Sequence, residues 1–156
     1  MAKLLAAIRL RGIVGVPEDI EVTLKLLRLN KKNHATIVED TPTYRGMLQK
    51  ASGYLTYGEI DLETLAMLLR RRGRLRGNKP VTDEYAKKLG LNSVEELASA
   101  LMEAKLKLKD LPNFKPVFRL HPPSKGFKQS LKKPYGAGGE LGYRGETINE
   151  LLKRMM

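Results

Sequence analysis

The stretch KLLAAIRLRGIVGVPED (residues 3–19) changes character twice, and those changes set the fold class. Leu4 to Ile8 form an unbroken apolar run, after which Ile8 and Leu10 alternate with Arg9 and Arg11. A continuous apolar run passing into period-two alternation fits a mostly buried strand that ends at an exposed basic edge. GIVGVPED then supplies two glycines, a proline suited to a first helical turn, and two acids that favour the positive end of a helix dipole. A strand, a turn and a helix start are therefore expected within the first twenty residues.

Beyond this stretch, Ile20, Leu24 and Leu27, widened by Leu26, form the apolar stripe of a helix over about 18–29. NKKNH (30–34) punctuates its end, and ATIVED (35–40) reads as a second strand. Thr41 suits an N-cap with Pro42 at the first helical position, opening a short helix to about Ala51. Gly46 weakens that helix by roughly 1 kcal/mol relative to Ala. GYLTYGEI (53–60) has the aromatic and β-branched character of a third strand. Tyr54 and Tyr57 fall on opposite faces of an ideal strand, with Tyr57, next to Gly58, as the candidate for exposure. The order strand–helix–strand–helix–strand predicts an α+β fold, a ferredoxin-like three-stranded sheet with two helices on one face.

After Ile60 the periodicity becomes helical. Asp61 can cap LETLAMLLRRR (62–72), with Leu62, Leu65, Leu68 and Leu69 inward and Gly73 as the stop. Thr82 can open a short helix closed by Gly90, and Ser93 with Glu96 matches a capping box ahead of Leu97, Leu101 and Ala104. PVFRL (116–120) is a strand candidate beside prolines, residues 121–145 read as irregular, and Ile148, Leu151, Leu152 and Met155 mark a closing helix that should dock. The expected organisation is an α+β core over 1–60, a mainly helical C-terminal extension over 61–110, and a basic irregular arm with a closing helix over 111–156.

The chain of 156 residues carries 29 Lys and Arg against 17 Asp and Glu, a formal net charge of +12. A compact body with that excess repels itself and is relieved by a polyanion, of which nucleic acid is the commonest. The excess is uneven, since residues 105–156 hold 12 basic and 4 acidic side chains. RRRGRLRGNK (70–79) packs six cations without an acid, and no carboxylate occurs from Leu111 to Gly139, where Lys115, Arg119, Lys125, Lys128, Lys132 and Lys133 accumulate. A solvated helix face mixes both signs, whereas acid-free basic tracts rich in Gly and Pro suit phosphate.

Catalytic and metal chemistry lacks its residues. There is no cysteine, and His34 and His121 stand in separate contexts with no HxxxH or HExxH spacing. Glu18-Asp19, Asp83-Glu84 and Glu95-Glu96 fall at expected helix starts, where the dipole accounts for them. Glu39-Asp40 does not fit that rule but has no identifiable base or nucleophile beside it. GAGG (136–139) lacks a following Lys-Ser/Thr and a helix. Apolar runs reach four or five residues, far short of a membrane span. No enzyme activity, cofactor, metal site, membrane association or homo-oligomer is expected.

Several blocks carry a family resemblance: IRLRGIVGV, TLKLLRLNKKNHATIV, RGML and YLTYGEIDLETLAMLLRRRGR, then NKPVTDEY, NFKPVFRLHPP and GYRGETINELLKRM. In this order they resemble the universal large-subunit ribosomal protein family called L thirty in archaea and bacteria and L seven in eukaryotes, in its archaeal form. The resemblance implies a structural protein of cytoplasmic ribosomes, bound to large-subunit rRNA near 5S rRNA and to neighbouring ribosomal proteins. Carried over by position, the candidate rRNA-binding residues are Arg11, Gly12 and Gly15, then Lys31, Lys32 and Asn33, then Arg45 and Gly46. Arg70, Arg71, Arg72, Arg74, Arg76 and Lys79 follow in the extension. Tyr57, Lys125, Lys128, Lys132 and Lys133 join them as candidates on exposure or charge. The alternative is a free structured-RNA-binding or RNA-chaperone protein outside the ribosome.

Overall fold

The computed structural model describes residues 4–12, 14–103, 111, 113–115, 117–124, 126–127 and 129–156. Met1–Lys3 and the candidates Ala104, Lys125 and Lys128 lie outside these. The first strand, β1 (Leu4–Arg9), is central and buried along its whole length. It pairs antiparallel with β2 (His34–Glu39) on one side and β3 (Leu55–Glu59) on the other. The intervening helices are α1 (Glu18–Leu26) and α2 (Pro42–Lys50). The order strand–helix–strand–helix–strand is thus present over the first sixty residues.

The sheet does not stop at three strands. A short β6 (Phe118–Arg119) adds to the outer edge of β2, with His34 opposite Arg119. Strand β8 (Gly139–Tyr143) adds parallel to β3, and β7 (Ser130–Pro134) adds beyond it with a register shift. The resulting order is β6-β2-β1-β3-β8-β7. Residues 130–143, expected to be irregular, therefore supply two strands. The remaining elements are α3 (Leu62–Arg72), a hairpin of β4 (Arg74–Leu75) and β5 (Lys79–Pro80), α4 (Asp83–Lys88), α5 (Val94–Met102) and α6 (Ile148–Met155). Among the described residues this is a mixed α+β fold with six α-helices.

The two faces of β1 feed two cores. Leu5 and Ala7 meet Leu24, Leu27, Leu29, Leu48, Ala51, Leu55 and Tyr57, the layer of α1 and α2. Leu4, Ala6, Ile8 and Leu10 face the opposite layer, which includes Leu65, Leu68, Leu69, Leu97, Leu101, Ile148, Leu151, Leu152 and Met155. The two helices of the first sixty residues lie on one face as expected, and the later elements cover the other: an apolar run with no polar parity needs cover on both sides.

Local chemistry follows the capping rules in most places. Thr41 accepts from Tyr44 N, Asp61 from Thr64 N at 2.7 Å, and Ser93 from Glu96 N. Thr82 occupies its N-cap without a side-chain bond. Gly73 ends α3 because a Cβ there would strike the Leu69 carbonyl and Val81, not because of a left-handed φ. Two apolar assignments fail: Leu26 and Leu62 are 69% and 46% exposed, one position off each helix's inward stripe.

Arg9 departs most from expectation. Expected at an exposed edge, it is 2% exposed and donates to Leu29 O at 2.7 Å, Arg11 O at 2.9 Å and Gly12 O at 3.2 Å. A buried cation is tolerated when its N–H fork is satisfied, and these three carbonyls close the turns that flank β1. A second buried guanidinium joins the late strands to the core. Arg144 donates to Thr56 Oγ1 at 2.7 Å and to the Glu140 carboxylate at 2.6 Å, with both side chains 6% exposed. Thr56 in turn donates to Gly142 O at 2.8 Å. Replacing Arg144 by Ala strands the Glu140 charge inside, so denaturant unfolding should show a loss of about 3–5 kcal/mol.

Candidate nucleic-acid interface

Hydrogen bonds fix which segments share an end of the sheet. At the end where β1 finishes, Leu10 N and Arg11 N donate to Tyr54 O, Asn33 N donates to Arg9 O, and Leu120 N donates to Asn33 O. His121 N then donates to Met155 O, and an Arg72 N–H reaches Met156 O at 3.1 Å. The β4–β5 hairpin hangs on the same side through Arg76 N to Asn113 O, Lys115 N to Arg74 O and the contact of Phe114 with Phe118. The C-terminal ends of α2, α3 and α6 thus gather where β1 ends.

Their last turns carry Lys50, Arg70–Arg72 and Arg154, the placement that helix dipoles favour, while Lys153 reaches the other way to Glu63 at 3.9 Å. Arg11, Arg28, Lys31, Lys32 and Arg119 add to them, all exposed. Among the described residues none of these five has a carboxylate within ion-pairing distance. Arg71, Arg76 and Lys79 are likewise exposed, the last two at the tip of a hairpin whose Gly77 and Asn78 both have positive φ. Asn33, also left-handed at φ 66°, and Gly15 at φ 74° shape the turns on either side of α1. Gly12 and Gly46 are exposed, and a Cβ at either would meet nothing. Lys132 and Lys133 lie exposed on β7.

The candidates do not all share this situation. Arg45 sits at the opposite end, paired with both Asp40 oxygens and 3.3 Å from Glu59, and the Asp40 hydrogen bond raises its pKa further. Arg70 is held by Glu95 at 2.6 Å and Asp83 at 3.0 Å. That hydrogen bond pushes the Glu95 carboxyl down to about 2. The pairing arises because α5 runs against α3 and brings its acidic first turn to this end. Arg72 and Arg74 spend donors on the Met156 and Gly73 carbonyls. Tyr57, expected to be exposed, is 8% exposed, with its ring 5.4 Å from that of Tyr143. Leu55 and Tyr57 share the α1–α2 face, so the strand's own parity buries it.

The sequence did not mark Arg28, His34, Lys50 and Tyr54 as site residues, and it marked Arg119 only as part of the acid-free basic tract. Arg28 and Lys50 follow from the rule that cations collect at helix ends. The pairing of His34 with Arg119 spans 85 positions and leaves no local signal. His34 is half-buried, and burial first, then Arg119, Lys31 and Arg9, hold its imidazole below the ordinary range. Asn33 Oδ1 and His34 Nδ1 are buried with no hydrogen-bond partner among the described residues.

The other end has the reverse polarity. Asp40, Glu59, Asp61, Glu63, Glu146 and Glu150 cluster where β3 finishes and where α2, α3 and α6 begin. Asn149 links those starts by accepting from Asp61 N and donating to Glu59 O. Tyr143 donates to Glu59 at 2.5 Å. A polyanion therefore finds one end attractive and the other repulsive.

Residues 5–55 match the model of the family described as Ribosomal protein L30p/L7e. A large ribosomal subunit protein uL30 of Staphylothermus marinus is 56% identical over 162 residues, covering 100% of both chains. The uL30 of Archaeoglobus fulgidus is 56% identical over 96% of this chain and 98% of its own. That of Nanoarchaeum equitans is 55% identical over 97% of each. The family model reaches only the α+β segment, but these relatives run through the extension, the late strands and α6. With likeness of that degree along its whole length, the chain belongs to the L30p/L7e family of ribosomal proteins.

Proposed function

We propose that this protein is a non-catalytic structural component of the large subunit of cytoplasmic ribosomes, held on large-subunit rRNA by the cationic end of its sheet. The observation that carries the reading is the gathering of Arg11, Arg28, Lys31, Lys32, Arg71, Arg76, Lys79 and Arg119 at one end, with no carboxylate partner among the described residues. Asn33 Oδ1 and His34 Nδ1, buried polar atoms without a hydrogen-bond partner among the described residues, support the same end. Arginine clamps phosphate through its fork while lysine acts as a point charge, so such contacts position the protein on folded RNA and select for shape. Lys132 and Lys133 extend the surface along β7. Arg45, tied to Asp40 and Glu59, and Tyr57, inside the core, stand outside the interface. Proximity to 5S rRNA and contacts with neighbouring ribosomal proteins belong to the same proposal.

A protein that neutralises six to ten phosphates should lose roughly 10³–10⁵ in affinity for a large-subunit rRNA transcript between 50 and 200 mM salt. Lys31→Ala or Arg76→Ala should weaken binding and lower the salt slope by about one each. Arg45→Ala should leave that slope unchanged while lowering stability. Salt-independent binding, or a steeper loss from Arg45→Ala than from Lys31→Ala, would exclude this end as the interface. A free RNA chaperone would instead bind unrelated structured RNAs equally well.

His34 gives the site a pH dependence of definite sign. Its unfolded value lies near 6.5, and the folded protein protonates it only at lower pH. Stability is therefore full above about pH 6.5 and falls as the pH drops from there through the folded value. Docked phosphates offset Arg119, Lys31 and Arg9 and favour the protonated ring. Affinity for the transcript should rise as the pH falls from 7 towards 5.5, and His34→Gln should flatten that rise whereas His121→Gln should not.

A further inference from the structure

We infer that the stack of Arg11 on Tyr54 is a landing surface for an unpaired RNA base. This rests on the RNA-binding reading above and names what the cationic end takes besides phosphate. The Arg11 guanidinium carbon lies 5.0 Å from the centroid of the Tyr54 ring. One of its N–H groups donates to Gly53 O at 3.3 Å, which fixes the turn of the plane. The two residues are also joined through the backbone, because Leu10 N and Arg11 N donate to Tyr54 O at 2.9 and 3.2 Å. Tyr54 packs its inner side against the core between the sheet and α1–α2. The pair is therefore rigid from below, while Arg11 itself is exposed.

Two comparisons within the molecule separate this stack from ordinary packing. Among the described residues there are three Arg–Tyr stacks, and the other two, Arg45 over Tyr143 and Arg144 over Tyr135, use arginines already bound to carboxylates. Arg11 alone of the three has no carboxylate partner among the described residues. Its surroundings are also open: a Cβ built on Gly12 or Gly53, the residues flanking the stack, would meet nothing within 4 Å. A flat, weakly hydrated cation set over an aromatic ring and flanked by glycines is suited to stacking with a nucleobase. Lys31 and Lys32, across the end of β1, are placed for the flanking phosphates. Stacking of this kind tolerates any base, so it reads the unpaired state and not the sequence.

The test is titration of the large-subunit rRNA transcript against wild type, Arg11→Lys and Tyr54→Phe over a range of salt concentrations. Lysine keeps the charge and loses the plane, so Arg11→Lys should weaken binding about tenfold at every salt concentration with the slope unchanged. Tyr54→Phe keeps the ring and should bind as wild type. Equal affinity of Arg11→Lys and wild type would overturn the proposal, since charge alone would then suffice. An equal loss in Arg11→Lys on a fully base-paired RNA, which offers phosphates but no unpaired base, would overturn it too, by making Arg11 a phosphate contact. A wild-type protein that did not prefer the transcript to unrelated RNA would instead sink the ribosomal RNA reading itself.

Discussion

The burial of β1 on both faces is the constraint on which the rest of the structure depends. Leu4 to Arg9 are all buried, and successive residues point into different cores. An antiparallel sheet can leave one face to water when its strands alternate polar and apolar residues. This strand does not alternate, so α1 and α2 can satisfy only half of it. Exposing Leu4, Ile8 and Leu10 would cost about 1.5–3 kcal/mol each, a large part of the 5–15 kcal/mol by which domains are usually stable. The C-terminal residues are therefore the second wall of the sheet and not an appendage to it. The returning chain also extends the sheet at both edges, with β6 on β2 and β8 on β3.

From that wall comes the electrostatic polarity. α3 starts where β3 ends, and α6 starts beside it, held by the bonds of Asn149 to Glu59 and Asp61. α2 starts there as well, after β2 has run the other way. Three helices consequently point their C-termini at one end, and each terminus draws its cations there. α5 runs in the opposite sense, and its acids meet Arg70. A net charge of +12 spread evenly would only raise solubility. Sorted by helix direction, it becomes a surface with an orientation.

What was legible in the sequence was what depends on nearby residues. The apolar run of β1, the caps at Thr41, Asp61 and Ser93, and the buried stripe of α6 are all short-range patterns, and each appears in the structure. What was not legible depends on partners far along the chain. β8 forms because Arg144 and Gly142 reach Thr56, 88 and 86 positions away, and nothing in KKPYGAGGELGY announces that pairing. Tyr57 was misjudged because its neighbour Gly58 suggested an open surface. Gly58 is there for the reverse reason, since a Cβ would run into the Gly145 carbonyl of the crossing chain. The candidate site was legible as a set of charges and not as a place.

Arg9 and Arg11 show why charge runs overcount binding residues. They are the same residue type, two positions apart, and period-two alternation alone assigns both to one exposed face. Arg9 is the last residue of a strand whose two faces are both covered, so its guanidinium lies within the fold and closes on three carbonyls. Arg11 lies past the last strand pairing, where the backbone turns over Tyr54 and the layers no longer enclose it. Arg45, Arg70 and Arg144 repeat the lesson with carboxylates in place of carbonyls. A cation is free for an external anion only where the fold supplies neither cover nor counter-charge. Along this chain both conditions are met chiefly where β1 and the helices of both layers end together.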